Sequence, residues 1–133
     1  MRYFLALGVF LSFLNGKAEA YPPTPADIFT EIAVAFRAGN ASEAARFFGG
    51  RVELIIGDKN NVYSKAQAQQ VLNQFFKDHP PKKFNILHRG SSAMGARYAI
   101  GELTTRQDTY RAYFYLKPTN GSFLLQKISL ETE

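Results

Sequence analysis

LHRGSSAMGARYAIGELTT, residues 87–105, admits two readings, and the fold turns on the choice between them. One makes it a ligand site, with His88 and Arg89 gathered among glycines. The other makes it a hairpin whose glycines shape a sheet. His88-Arg89-Gly90-Ser91-Ser92 has neither the glycine spacing of a phosphate loop nor a helix after it, so the hairpin is the better account. With a turn at Ser92–Gly95, Phe84 faces Leu103, Ile86 faces Gly101 and His88 faces Ala99. A second turn at Arg106–Thr109 sets Leu103 opposite Ala112 and Gly101 opposite Phe114. A third at Pro118–Gly121, a three-residue loop with Gly121 left-handed, sets Phe114 against Gln126 and Ala112 against Ile128. One face of this meander is mostly apolar. Glycine inside a strand is costly unless a bulky neighbour or a bend requires it, and Gly101 between Ile86 and Phe114 meets both conditions.

Helical patterns precede the meander. Thr24 suits an N-cap with Pro25 in the first turn, and Ile28, Phe29, Ile32, Ala35 and Phe36 repeat along one face. Gly39-Asn40 ends that helix, and a short second one turns Ala45 and Phe48 inward before Gly49-Gly50. Arg51–Ile56 alternates as a strand, and a loop at residues 57–61 leads to a brief strand around Val62-Tyr63. Ser64 and Gln67 form a capping-box pair, followed by Ala68, Val71, Leu72, Phe75 and Phe76 at helical spacing. His79-Pro80-Pro81 stops the helix. Helices first and a meander last is an α+β order, α-α-β-β-α-β-β-β-β.

The 133-residue chain carries net charge +5 and has no cysteine, which excludes disulfides, thiol chemistry and cysteine metal sites. Arg2, the apolar run Tyr3–Leu14 and the pattern Ala18-Glu19-Ala20 have the three parts of a secretory signal peptide. About twelve apolar residues fall short of the ~20 that span a bilayer. The expectation is a signal peptide over 1–20, cleavage after Ala20, and one exported domain over 21–133, periplasmic or extracellular. Losing Arg2, Lys17 and Glu19, two basic residues and one acidic, takes the charge from +5 to +4.

AFRAGNASEAARFFGGRVEL (35–54), VYSKAQAQQVLNQFF (62–76), HRGSSAMGARYAIGELTT (88–105) and YRAYFYLK (110–117) resemble a small exported bacterial family, domain of unknown function 4783. The element order resembles the nuclear-transport-factor-2-like, or cystatin-like, fold. That superfamily also hosts ketosteroid isomerases and scytalone dehydratase. The resemblance implies a cone of helices packed on a strongly curved antiparallel sheet. It implies no established activity.

In such a cone a ligand pocket lies between the concave sheet face and the helices. The register above puts His88, Gln126, Tyr110 and Phe114 on that face, with Tyr63 placed to reach the same space. An isolated histidine there reads first as a hydrogen-bonded core residue, and Gln126 as a satisfied amide. An isomerase or dehydratase needs a tuned base and oxyanion donors, but Asp58, Asp78 and Asp108 sit at turns or helix ends, and Glu53 and Glu102 face outward. A small enzyme using His88 as general acid or base is therefore the alternative. No metal or cofactor is expected, because His79 and His88 lack ligand partners at suitable spacing. The convex face gathers Tyr98, Arg111, Tyr113, Tyr115 and Lys117, an interface composition suited to a homodimer or protein partner. Binding of an anionic glycan or nucleic acid by its basic residues ranks last, since Glu53 and Glu102 interrupt the charge. The expected function is an exported binding module, taking a small apolar ligand in the cone or a protein across the convex face.

Overall fold

The computed structural model describes residues 21–133, so the expected signal peptide and its cleavage point lie outside the described residues. Helix α1 spans Pro25–Ala38, with a reciprocal Thr24–Asp27 capping box at its start and left-handed Gly39 at its end. α2 is a single turn, Ala41–Ala45, capped by Asn40. Phe48, expected on that helix, instead opens strand β1, Phe48–Ile56. A tight turn at Gly57-Asp58 leads into β2, Lys59–Ser64, longer than the brief strand expected. The Ser64–Gln67 box starts α3, Lys65–Asp78. Strands β3 (Pro81–Ser91), β4 (Arg97–Thr105), β5 (Thr109–Thr119) and β6 (Ser122–Thr132) complete one curved sheet in the order β2-β1-β6-β5-β4-β3. Only the β1–β6 pairing is parallel; the others are antiparallel.

The helices fill the concave side. Phe36 of α1 meets Phe76 of α3 at 5.0 Å and Phe114 of β5 at 5.1 Å between ring centroids, both edge-on, with Phe84 of β3 at 5.4 Å. Edge-to-face packing is a favoured aromatic arrangement, and these rings leave the centre of the cone filled. Phe114, expected beside a ligand, is fully buried in this cluster.

The register departs from expectation in three places. Phe84 faces Leu103 and Ile86 faces Gly101 as expected, but a bulge at Leu87 then pairs His88 with Ile100 instead of Ala99. An extra residue in one strand shifts everything beyond it to the opposite face. His88 is consequently ejected from the cone, and Arg89 takes the helix side, its guanidinium 6.0 Å from the Phe29 ring.

Between β4 and β5 the pairing is Gly101 with Ala112 and Leu103 with Tyr110, two residues from the expected register. A two-residue shift keeps each side chain on its face while changing its neighbours. Its cause is buried Thr105, whose hydroxyl accepts from the Gln107 and Asp108 backbone N–H groups and closes the turn early. Gly101 thus lies beside Ala112, under the Phe84 ring. A Cβ there would fall 2.6 Å from Phe84 Cζ and 2.8 Å from the Asn85 carbonyl oxygen.

The β5–β6 turn has two residues, Asn120 (φ 48°) and Gly121 (φ 80°), both left-handed, as hairpin twist favours. A second bulge, at Gln126, then pairs Phe114 with Ile128 and Ala112 with Leu130. Gln126 is thereby removed from the concave face, and Leu125 is buried there in its stead.

Candidate functional site

Beyond the aromatic centre, a recess opens at one end of the cone. β1 contributes Leu54 and Ile56 to an apolar floor, completed by Val71 and Phe75 from α3. Tyr63, Gln74, Asp78, His79 and the turn residues Asp58 and Lys59 form the rim of a recess of about 450 Å³. Val71 and Phe75 are one helical turn apart, and the next turn brings Asp78 and His79 to the same opening.

His79 is the residue that sequence reasoning missed here, because with two prolines after it the position reads as a helix stop. Its ring stacks on Phe75 at 4.9 Å and meets the Tyr110 ring edge-on at 5.7 Å. The Tyr110 hydroxyl lies 3.4 Å from His79 Nδ1, a long hydrogen bond. Burial, reinforced by the nearby Asp108 carboxylate, pushes the Tyr110 phenol above its ordinary pKa. The hydroxyl therefore stays protonated at neutral pH and can donate to His79. The neighbouring Asp78 carboxylate is taken by Gln74, whose side-chain amide donates to it at 2.9 Å. No carboxylate bonds His79 among the described residues, so the oriented acid–base pair that proton transfer uses is not assembled there.

Of the cone candidates, then, Tyr63 lies on the rim of the recess and Tyr110 stands behind it, linked through His79. Phe114 belongs to the closed centre. His88 and Gln126 lie on the other side of the sheet. There His88 Nε2 is 3.1 Å from the Tyr98 hydroxyl, in an exposed position unlike a general base in a pocket. Among the described residues no cluster of three or more His, Asp or Glu side chains has the proximity needed to hold a metal ion.

The convex face keeps its expected tyrosines. Tyr98 and Tyr113 stack at 6.0 Å with 23° between their planes, and the Tyr98 ring also lies across Gly90. Burial, with smaller contributions from Tyr115 and Tyr98, raises the Tyr113 phenol pKa. Arg111 is turned toward Glu133, 3.5 Å away, and Lys117 projects exposed near the end of β5. Tyr113, Tyr115, Gln126 and Lys127 flank a shallow hollow with Glu53, and Leu87, at the bulge, is 60% exposed. No helix among the described residues is long and apolar enough to cross a membrane.

A family model described as a domain of unknown function, DUF4783, matches residues 29–131. A DUF4783 family protein from Bacteroides uniformis is 25% identical, with a TM-score of 0.74 over 78% of this chain and 95% of that one. A second, from Bacteroides fragilis, is 26% identical, with a TM-score of 0.73 over 77% and 96%. An NTF2-like protein of unknown function from Shewanella baltica shares the fold at 12% identity, with a TM-score of 0.62 over 81% and 90%. No curated protein matches the sequence. With its family match spanning most of the chain and its α+β cone shared with NTF2-like structures, this protein belongs to the DUF4783 family.

Proposed function

We propose that this DUF4783 protein is an exported, non-catalytic binding module that holds a small, mainly apolar ligand at the mouth of its cone. One observation carries the reading. The aromatic centre is closed, whereas the adjoining recess of about 450 Å³ has an apolar floor under a polar rim. Ligand sites combine these features, with apolar area supplying affinity and a few polar groups fixing orientation. Export is supported by Arg2, the apolar run Tyr3–Leu14 and Ala18-Glu19-Ala20. Exported protein with an intact mass beginning at Tyr21 is the expected product, and retention of residues 1–20 would refute it.

Titration with a neutral fluorescent probe such as N-phenyl-1-naphthylamine tests the site. Saturable binding is expected, with Val71→Trp abolishing it by filling the floor. Equal binding by wild type and Val71→Trp would place the ligand elsewhere.

A second reading, self-association through the convex face, is supported by the Tyr98–Tyr113 stack and exposed Leu87. Tyr113→Ala combined with Tyr115→Ala should weaken a dimer measured by sedimentation, since aromatic residues commonly anchor interfaces. A wild type that remains monomeric at high concentration removes this reading.

A further inference from the structure

At the opposite end of the sheet from the cone mouth, a second recess of about 440 Å³ lies between the start of α1, the end of β3 and the starts of β4 and β6. Pro25, Ala26, Phe29 and Phe123 supply apolar wall, and Thr24 and Ser91 add uncharged polar groups. Its charged groups are two guanidiniums, Arg89 and Arg97. The bulge at Leu87 brings Arg89 here, by turning it to the helix side.

Both arginines are held by uncharged partners. Arg89 lies over the Phe29 ring at 6.0 Å. Arg97 donates through Nη1 to the Gly95 and Ala96 carbonyl oxygens, at 2.9 and 3.2 Å. Among the described residues neither is in an ion pair; the two ion pairs formed involve Arg46 and Arg111. Asp27, on the first turn of α1, is engaged by Thr24. The helix terminus is therefore already capped, and the anion affinity of the recess rests on the two arginines. A guanidinium oriented by a ring or a carbonyl keeps its charge and spare N–H donors for a ligand.

We infer that this recess binds an amphiphilic organic anion, with its carboxylate or phosphate head between Arg89 and Arg97 and its apolar body against Pro25, Phe29 and Phe123. The site is separate from the cone mouth, and each can fail without the other.

Isothermal calorimetry with octanoate, octyl phosphate, octylamine and inorganic phosphate tests the inference. At least one of the two octyl anions should bind one-to-one and weaken with added salt, and their relative affinities would identify the head group. Arg89→Gln and Arg97→Gln should each lower that affinity roughly tenfold or more, the range for hydrogen bonds to charged groups. Phe123→Ala should weaken it without changing the charge, and Val71→Trp at the cone mouth should leave it unaltered. Circular dichroism confirms that each variant is folded, and a folded Phe123→Ala or either folded Arg variant suffices for the test. Binding by neither octyl anion overturns the proposal. So does octylamine or inorganic phosphate binding as tightly, wild-type affinity in a folded Arg89→Gln, Arg97→Gln or Phe123→Ala variant, or loss of binding in Val71→Trp.

Discussion

The centre of the cone and its mouth are made from the same kinds of residue yet serve opposite ends. At the centre, Phe36 touches Phe76, Phe84 and Phe114, so each ring's apolar surface is covered by another. At the mouth, Phe75 packs against Phe76, His79 and Tyr110, and a small edge of it reaches the recess beside Leu54, Ile56 and Val71. The difference comes from the partner across the gap. At the centre, α1 lies over the sheet and supplies Phe36. Opposite the mouth stand the turn after β1 and the short, mostly polar strand β2, which offer Asp58, Lys59 and Tyr63. Aromatic side chains therefore do not by themselves mark a binding cavity. What faces them decides whether they stabilise the fold or remain available.

The largest expected effect breaks the centre. Phe114→Ala should cost about 3–5 kcal/mol through the cavity it leaves, whereas Val71→Ala at the half-open mouth should fall well below that range. Denaturant unfolding of both variants measures the contrast, and equal losses would mean the mouth is as tightly packed as the centre.

Gly101→Val comes next, at about 1–3 kcal/mol from overpacking. The new Cβ would meet Phe84 Cζ, which can shift slightly, and the Asn85 carbonyl oxygen, which belongs to backbone and yields less. An unchanged unfolding midpoint would show that Phe84 does not lie over Gly101.

The smallest effect sharpens the mouth. Folding raises the Tyr110 phenol pKa, chiefly by burial and secondarily through Asp108, so the folded state favours the neutral form. That contribution is fully present below the unfolded phenol value of about 10 and is lost as pH rises through the folded value. Stability should therefore decline in the alkaline range, and Tyr110→Phe should lessen the decline while losing the bond to His79. Unfolding midpoints between neutral pH and pH of about 11 decide it; identical slopes for wild type and variant would remove Tyr110 as a cause.

Helix starts and strand faces were legible in the chain because their signals are local. Ser64 and Gln67 meet within one turn, and Phe84 and Ile86 alternate toward the core as their spacing indicates. The two bulges decided the candidate site, and they differ in visibility. Leu125 and Ile128 are both apolar but three residues apart, and strict alternation cannot turn both inward, so the extra residue at Gln126 left a trace. At Leu87 no such trace exists. Leu87 follows inward-facing Ile86 and stands outward with or without the extra residue, so the pattern does not mark it. His88 was misplaced for that reason. His79 was missed for another, since its position depends on α3 meeting β5, a contact between elements distant in sequence.

Arg37 Nε donates to the Phe84 carbonyl oxygen at 2.9 Å, occupying an acceptor on β3, an outermost strand of the sheet. An unprotected outer strand is a template on which another chain can add a strand and begin edge-to-edge aggregation. Here a strand approaching β3 at Phe84 must first displace a charged side chain anchored on α1, and one approaching β2 meets only the short polar run Lys59–Ser64. Each margin of the sheet thus carries a feature that hinders indiscriminate pairing, a bonded carbonyl on β3 and a short polar run on β2.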